Sequence, residues 1–133
     1  MERGKQLSAI EHEFSTQVEA IESAYEFMLA YAAQGRDSDK STSGRSEIRD
    51  ILAALAKALV QLQNNPSSDA LPAAFQDFAE TLASDATHAG RAVELVVSQP
   101  RISSQLVDNL NASIHLRAVL TDLFLIDEAF KCQ

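Results

Sequence analysis

Cysteine, proline, glycine and basic residues are all scarce in this chain, and each shortage removes a class of explanation. The single cysteine, Cys132, cannot close an internal disulfide, so the fold has to be held by packing, and nothing marks an oxidising compartment. Three prolines and four glycines leave long stretches with nothing to interrupt a helix. Lysine and arginine number 11 against 19 acidic residues, a formal net charge of −8. That balance argues against a nucleic-acid partner, which needs a cationic face, and against docking on an anionic membrane surface. Long apolar runs are missing too. The longest strongly apolar one, Leu123 to Ile126, falls far below a membrane span. The opening Met1-Glu-Arg-Gly-Lys-Gln is polar, with no apolar segment of a secretory leader behind it, so the expected location is the cytoplasm.

What remains is a good supply of helix formers and 46% hydrophobic residues in 133, enough for one domain, residues 1–133, with one sizeable core. The most demanding stretch is Ile102 to Phe130. At about 100° per residue, Ile102, Leu106, Val107, Leu110, Ile114, Leu116, Val119, Leu120, Leu123, Phe124, Leu125, Ile126 and Phe130 cover most of a helix. The polar strip left over is narrow: Asp108, Asn111, His115 and Asp122. A helix so apolar must be embraced by neighbours.

Three further stripes supply them. Leu7, Ile10, Phe14, Val18, Ile21, Tyr25, Met28 and Ala32 recur at helical steps without proline or glycine, predicting one helix over roughly 5–34, closed by Gly35 after its C-cap. Gly35 to Arg45 contains no apolar residue and reads as a solvated, mobile loop. Ile48, Ile51, Leu52, Leu55, Leu59 and Leu62 predict a shorter helix over roughly 46–64, capped by Ser43 or Ser46. A third, over roughly 70–98, restarts near Asp69 with Pro72 in its first turn and stops at Pro100. The fourth covers roughly 103–131, with Ser103 as N-cap and Ile102 and Val107 as a hydrophobic staple. Short connections then favour an all-α, antiparallel up-down-up-down four-helix bundle. The short second helix leaves part of a groove at one end.

One candidate surface lies on the first helix. Ala20, Ala24, Phe27 and Tyr31 cluster roughly 85–145° from the core stripe, and two aromatics a turn apart over alanines make a flat strip for another helix. With the outer half of the fourth helix, this predicts a protein partner or a homodimer. The plainer reading folds Phe27 against a loop.

A second candidate is His88, with Arg91 three residues on and Ala92 four on. A cation there could neutralise a phosphoryl group, and a small side chain leaves room for an approaching aspartate. In these positions the chain resembles histidine phosphotransfer domains, acidic four-helix bundles whose exposed histidine is followed by lysine and then a small residue. The resemblance covers five residues and implies phosphotransfer through His88; the plainer reading is a surface histidine beside Asp85 and Arg91.

Metal and cofactor chemistry finds little support. Inward Glu-x-x-His motifs of ferritin-like bundles are missing, Asp85-Ala-Thr-His88 being the nearest spacing, and His12, His88 and His115 fall on outward faces. No haem-attachment pattern surrounds Cys132, and no catalytic triad or glycine-rich phosphate loop is present. Neither metal nor cofactor is expected, and no enzymatic activity.

Three smaller features complete the reading. Arg117 falls within the apolar arc of the fourth helix and calls for a carboxylate such as Glu11, Glu22 or Glu128. Ala79, Ala83, Ala86, Ala89 and Gly90 thin the third helix, inviting close approach of a neighbour in preference to a cavity opposite Phe124. Ser43-Gly-Arg45-Ser46 could hold an anion on free amides. The expected function is therefore association: a non-catalytic adaptor, assembly or chaperone-like factor.

Overall fold

The computed structural model describes residues 2–41, 44, 46–64 and 71–133. The side chain of Leu7, together with Ser43, Arg45 and Asp69, lies outside the described residues, as does the anion site drawn on Ser43 and Arg45. The described chain is all-helical, without a strand: α1 (Glu2–Ala32), α2 (Glu47–Gln63), α3 (Ala73–Val97), α4 (Ser104–Ala112) and α5 (Ile114–Lys131).

Five helices stand where four were expected, because the last one is broken at Ser113. There the backbone takes φ −60°, ψ 128°, outside the helical basin. No proline or glycine causes the break. The residues around it, Asn109, Asn111 and Ser113, are poor helix formers, while Ser113 makes no side-chain cap bond and the buried Asn111 amide has no partner. The break also changes which positions face inward. Asn111 becomes buried while Arg117 is exposed, so Arg117 needs no carboxylate, and Glu128 pairs instead with Lys131. Nor is the second helix the shortest: α2 has 17 residues and α4 nine.

Several boundaries follow local chemistry. Ser46 caps α2 by accepting the Arg49 amide, and Ser103 caps α4 by accepting that of Leu106. Ile102 and Val107, the staple pair, are both fully buried. Pro72 sits one residue earlier than expected, as the N-cap of α3, and its carbonyl accepts from Phe75 and Gln76. Gly35 adopts φ 65°, the left-handed turn that ends α1 at low cost.

The packing order can be read from cross-helix pairs. Phe75 of α3 stacks on Phe130 near the end of α5 and Phe14 of α1 meets the same ring at a tilt, whereas His88 of α3 meets His115 at the start of α5. So α3 and α5 run antiparallel. Gln63, the last residue of α2, reaches Ala86 of α3, while Arg49 near the start of α2 reaches Val97; these too run antiparallel. The alanine waist is a close approach, as expected: Ala86 and Ala89 are fully buried, and a Cβ at Gly90 would lie 3.2 Å from Gln63 Nε2. Phe124, by contrast, is exposed.

The loop after α1 departs most from expectation. Asp39, read as part of a solvated, mobile segment, is 3% exposed. Its carboxylate accepts from the Ile102 amide at 2.8 Å, the Ser46 hydroxyl at 2.8 Å and Arg49 Nε at 2.6 Å. Arg49 then donates to the carbonyls of Val97 and Gln99. One carboxylate thereby ties together the loop, the start of α2, the end of α3 and the approach to α4. Burial opposes its ionisation, but the Ile102 amide, Arg49 and Ser46 outweigh that and hold its pKa down at about 2.

Candidate functional site

Of the strip predicted on the first helix, the structure keeps little as surface. Tyr31 is 2% exposed and Ala24 is buried; Phe27 is half-buried against the core, and Ala20 alone is exposed. The physical reason is that α1 packs against α2, α4 and α5 at once, so its buried arc is wider than one stripe. Around Tyr31 the chain closes on itself. Its hydroxyl donates to the Ile102 carbonyl at 2.6 Å, the Arg36 guanidinium lies 5.1 Å from the ring centroid, and Ser104 donates to the Tyr31 carbonyl. Burial pushes the phenol pKa up, with Arg36 pulling against it. Tyr31 is a structural anchor.

Large exposed apolar side chains occur singly on α1 (Leu29), α2 (Val60) and α3 (Leu95), whereas α5 carries three. Ile114, Phe124 and Leu125 are open to solvent at 74%, 46% and 57%. Ile114 and Leu125 lie about 20° apart on the helix by the 100° step, with Phe124 beside Leu125. These are three of the apolar positions expected to be embraced. They are left uncovered because Leu116, Val119, Leu123 and Ile126 already fill the buried face.

Leu125 also forms one wall of a cleft of about 440 Å³ between the start of α3 and the end of α5. Pro72, Ala74, Phe75 and Phe78 line one side, and Leu125, Ile126, Ala129 and Gln133 the other. None of these side chains carries a charge. The cleft is placed by the ending of α2: Gln63 sits beside Ala86 and Gly90, so the first turns of α3 run past it.

Further along the same two helices lies a polar cluster. Asp122 of α5 is 8% exposed, and its Oδ2 has no hydrogen-bond partner. Burial first, then hydrogen bonding to and repulsion from Asp85 of α3, push its pKa up to about 7. Nearby, the rings of His88 and His115 stack at 5.4 Å and 23°. His88 Nδ1 lies 2.8 Å from the Ser84 carbonyl, so the neutral ring bonded there carries its proton on Nδ1 and leaves Nε2 as the acceptor.

All three histidines are exposed, on outward faces as expected, but His88 and His115 meet each other across the α3/α5 seam. The sequence signal existed. His115 and Asp122 share the polar strip of the last helix, and Asp85 and His88 are three apart on α3; antiparallel packing sets these strips face to face. Even so, among the described residues no group of three or more His, Cys, Asp or Glu is arranged to hold a metal. Nor is any described helix long and apolar enough to cross a membrane. The chain matches no protein-family model, no curated protein and no solved structure.

Proposed function

We propose that this chain is a non-catalytic association protein, an adaptor or assembly factor, that docks through the outer face of α5 and the adjoining α3/α5 cleft. With α4 and α5 taken as one helix broken at Ser113, the scaffold is an antiparallel four-helix bundle, and the docking face is its α5 side. The supporting observation is the apolar cleft walled on one side by exposed Leu125, whose neighbour in sequence, Phe124, is also exposed. Exposed aromatic and aliphatic anchors beside a preformed apolar groove are the usual carriers of binding energy. The partner tested first is a second copy, as a homodimer. With each copy at −8, self-association should strengthen as salt screens the repulsion.

Sedimentation equilibrium at micromolar to millimolar concentration tests this reading. The wild type should associate more strongly in high salt, and Leu125→Asp should abolish association while leaving the helical circular dichroism intact. A wild type that stays monomeric, or a variant that associates unchanged, removes homodimerisation through α5.

The second reading is phosphotransfer through His88, with Arg91 as its cation. Its support is the Ser84 carbonyl at Nδ1, which leaves Nε2 as the nucleophile; both His88 and Arg91 are exposed. Incubation with phosphorylated receiver domains should give an acid-labile adduct that His88→Gln loses. Absence of the adduct retires the idea.

A further inference from the structure

We propose that His88 of α3 and His115 of α5 form a two-histidine site that chelates one imidazole-preferring divalent ion, of the zinc, nickel or copper class, across the α3/α5 seam.

The two ring centroids lie 5.4 Å apart, with 23° between the ring planes. Two imidazoles sharing one tetrahedral ion, with metal–nitrogen bonds of about 2.1 Å, hold their ring centres about 5 Å apart. The helices therefore already set these rings at a chelating separation. His88 Nδ1 lies 2.8 Å from the Ser84 carbonyl, the kind of second hydrogen bond that orients most metal-binding histidines. Nδ1 keeps the proton there, and Nε2 offers its lone pair. Both residues are exposed, so a hydrated ion reaches them. No hydrogen bond from the described residues fixes the His115 ring against the small turn that chelation needs.

The donors fix the class of ion. Neutral imidazole nitrogens suit zinc, nickel or copper(II) and offer little to magnesium or calcium, which need oxygen ligands. Among the described residues no group of three or more ligating side chains is formed. Water fills the remaining positions, and binding depends on both rings acting together. Asp85, one turn before His88 on the same helix, and the net charge of −8 favour a cation. Arg91 and Arg117 oppose one, but both are exposed and can turn their guanidinium groups into solvent. The histidines are 27 residues apart in sequence and meet only because α3 and α5 run antiparallel. An ion held by both therefore binds the folded chain in preference to the unfolded one and ties the two helices together.

The test uses the untagged full chain carrying Cys132→Ser, which removes the exposed terminal thiol as a rival ligand. Calorimetric titration with zinc chloride at neutral pH should give one ion per chain, and zinc, unlike magnesium, should raise the thermal midpoint. His88→Ala and His115→Ala should each weaken zinc binding by at least about tenfold, because the second ligand then no longer acts at the effective concentration set by the first. Each should also abolish the thermal shift, while His12→Ala changes neither readout. Both rings are exposed, so the helical circular dichroism of the variants should match that of the parent. In nitrogen-15 spectra of the parent, zinc should move the imidazole signals of His88 and His115 together. No saturable zinc binding, binding unchanged in either seam variant, binding lost in His12→Ala, or an equal thermal shift with magnesium would each overturn the proposal. The site needs His115, which phosphotransfer through His88 does not, and none of the readouts involves Leu125. Its failure is therefore distinct from failure of either functional reading.

Discussion

Asp39 and Ile102 are 63 residues apart in sequence, yet the Asp39 carboxylate accepts the Ile102 backbone amide at 2.8 Å. That bond, with those from Ser46 and Arg49, pins a loop lacking apolar residues to the approach of α4. Its cost of burial is offset by three donors, and removal of the carboxylate would leave the Arg49 guanidinium and the Ile102 amide without it. Asp39→Ala should therefore destabilise the fold by roughly 3 kcal/mol, seen as a lower urea midpoint with an unchanged slope. A change under about 0.5 kcal/mol would show that the clasp contributes little.

The same carboxylate fixes the acid limb of the stability curve. Its folded pKa, about 2, lies below the ordinary value of 3.8. Its stabilisation is accordingly complete above pH 4 and lost as pH falls from about 4 through 2. Asp39→Asn should flatten that limb. If the variant and the wild type lose stability in parallel below pH 4, other carboxylates control acid unfolding.

Asp122 works in the opposite direction. Its folded pKa is raised to about 7, so the protonated form is favoured on folding, and its contribution erodes as pH rises from about 4 through 7. Thermal midpoints of Asp122→Asn and the wild type should diverge steadily across that range, the variant being the more stable at pH 8. Parallel curves would contradict the assignment.

Tyr31 offers a test of anchor against docking residue. Tyr31→Phe removes the hydroxyl donated to the Ile102 carbonyl and should cost about 1–2 kcal/mol while leaving any association unchanged. Weakened association at unchanged stability would return Tyr31 to the surface role expected from its position in the sequence.

How far the fold was legible follows from which forces set each part. The apolar stripes placed α1, α2 and α3 to within a few residues, because burial of a periodic face is a local property. The break at Ser113 was not legible. It needs no glycine or proline, only a run of poor helix formers whose effect depends on packing. Asp39 was missed because composition describes a loop's average solvation and not the one side chain for which distant donors converge. The α1 strip was misread because burial depends on how many helices surround α1, which one helix's angular arithmetic does not contain. Phe124 and Leu125 were identified as apolar, but which of the last helix's apolar positions stay outside was settled only by the phase set at the break. Even the Asp85/Asp122 and His88/His115 pairs needed only one added fact, that the two polar strips face each other.

The most direct test of docking through α5 is a dilution series of amide chemical shifts, from millimolar to micromolar protein at constant pH and elevated salt. Concentration-dependent shifts should cluster at residues 114–129 and 72–78 and vanish in Leu125→Asp. Shifts confined to Ala20 and Phe27 on α1, or none at any concentration, would contradict self-association through α5.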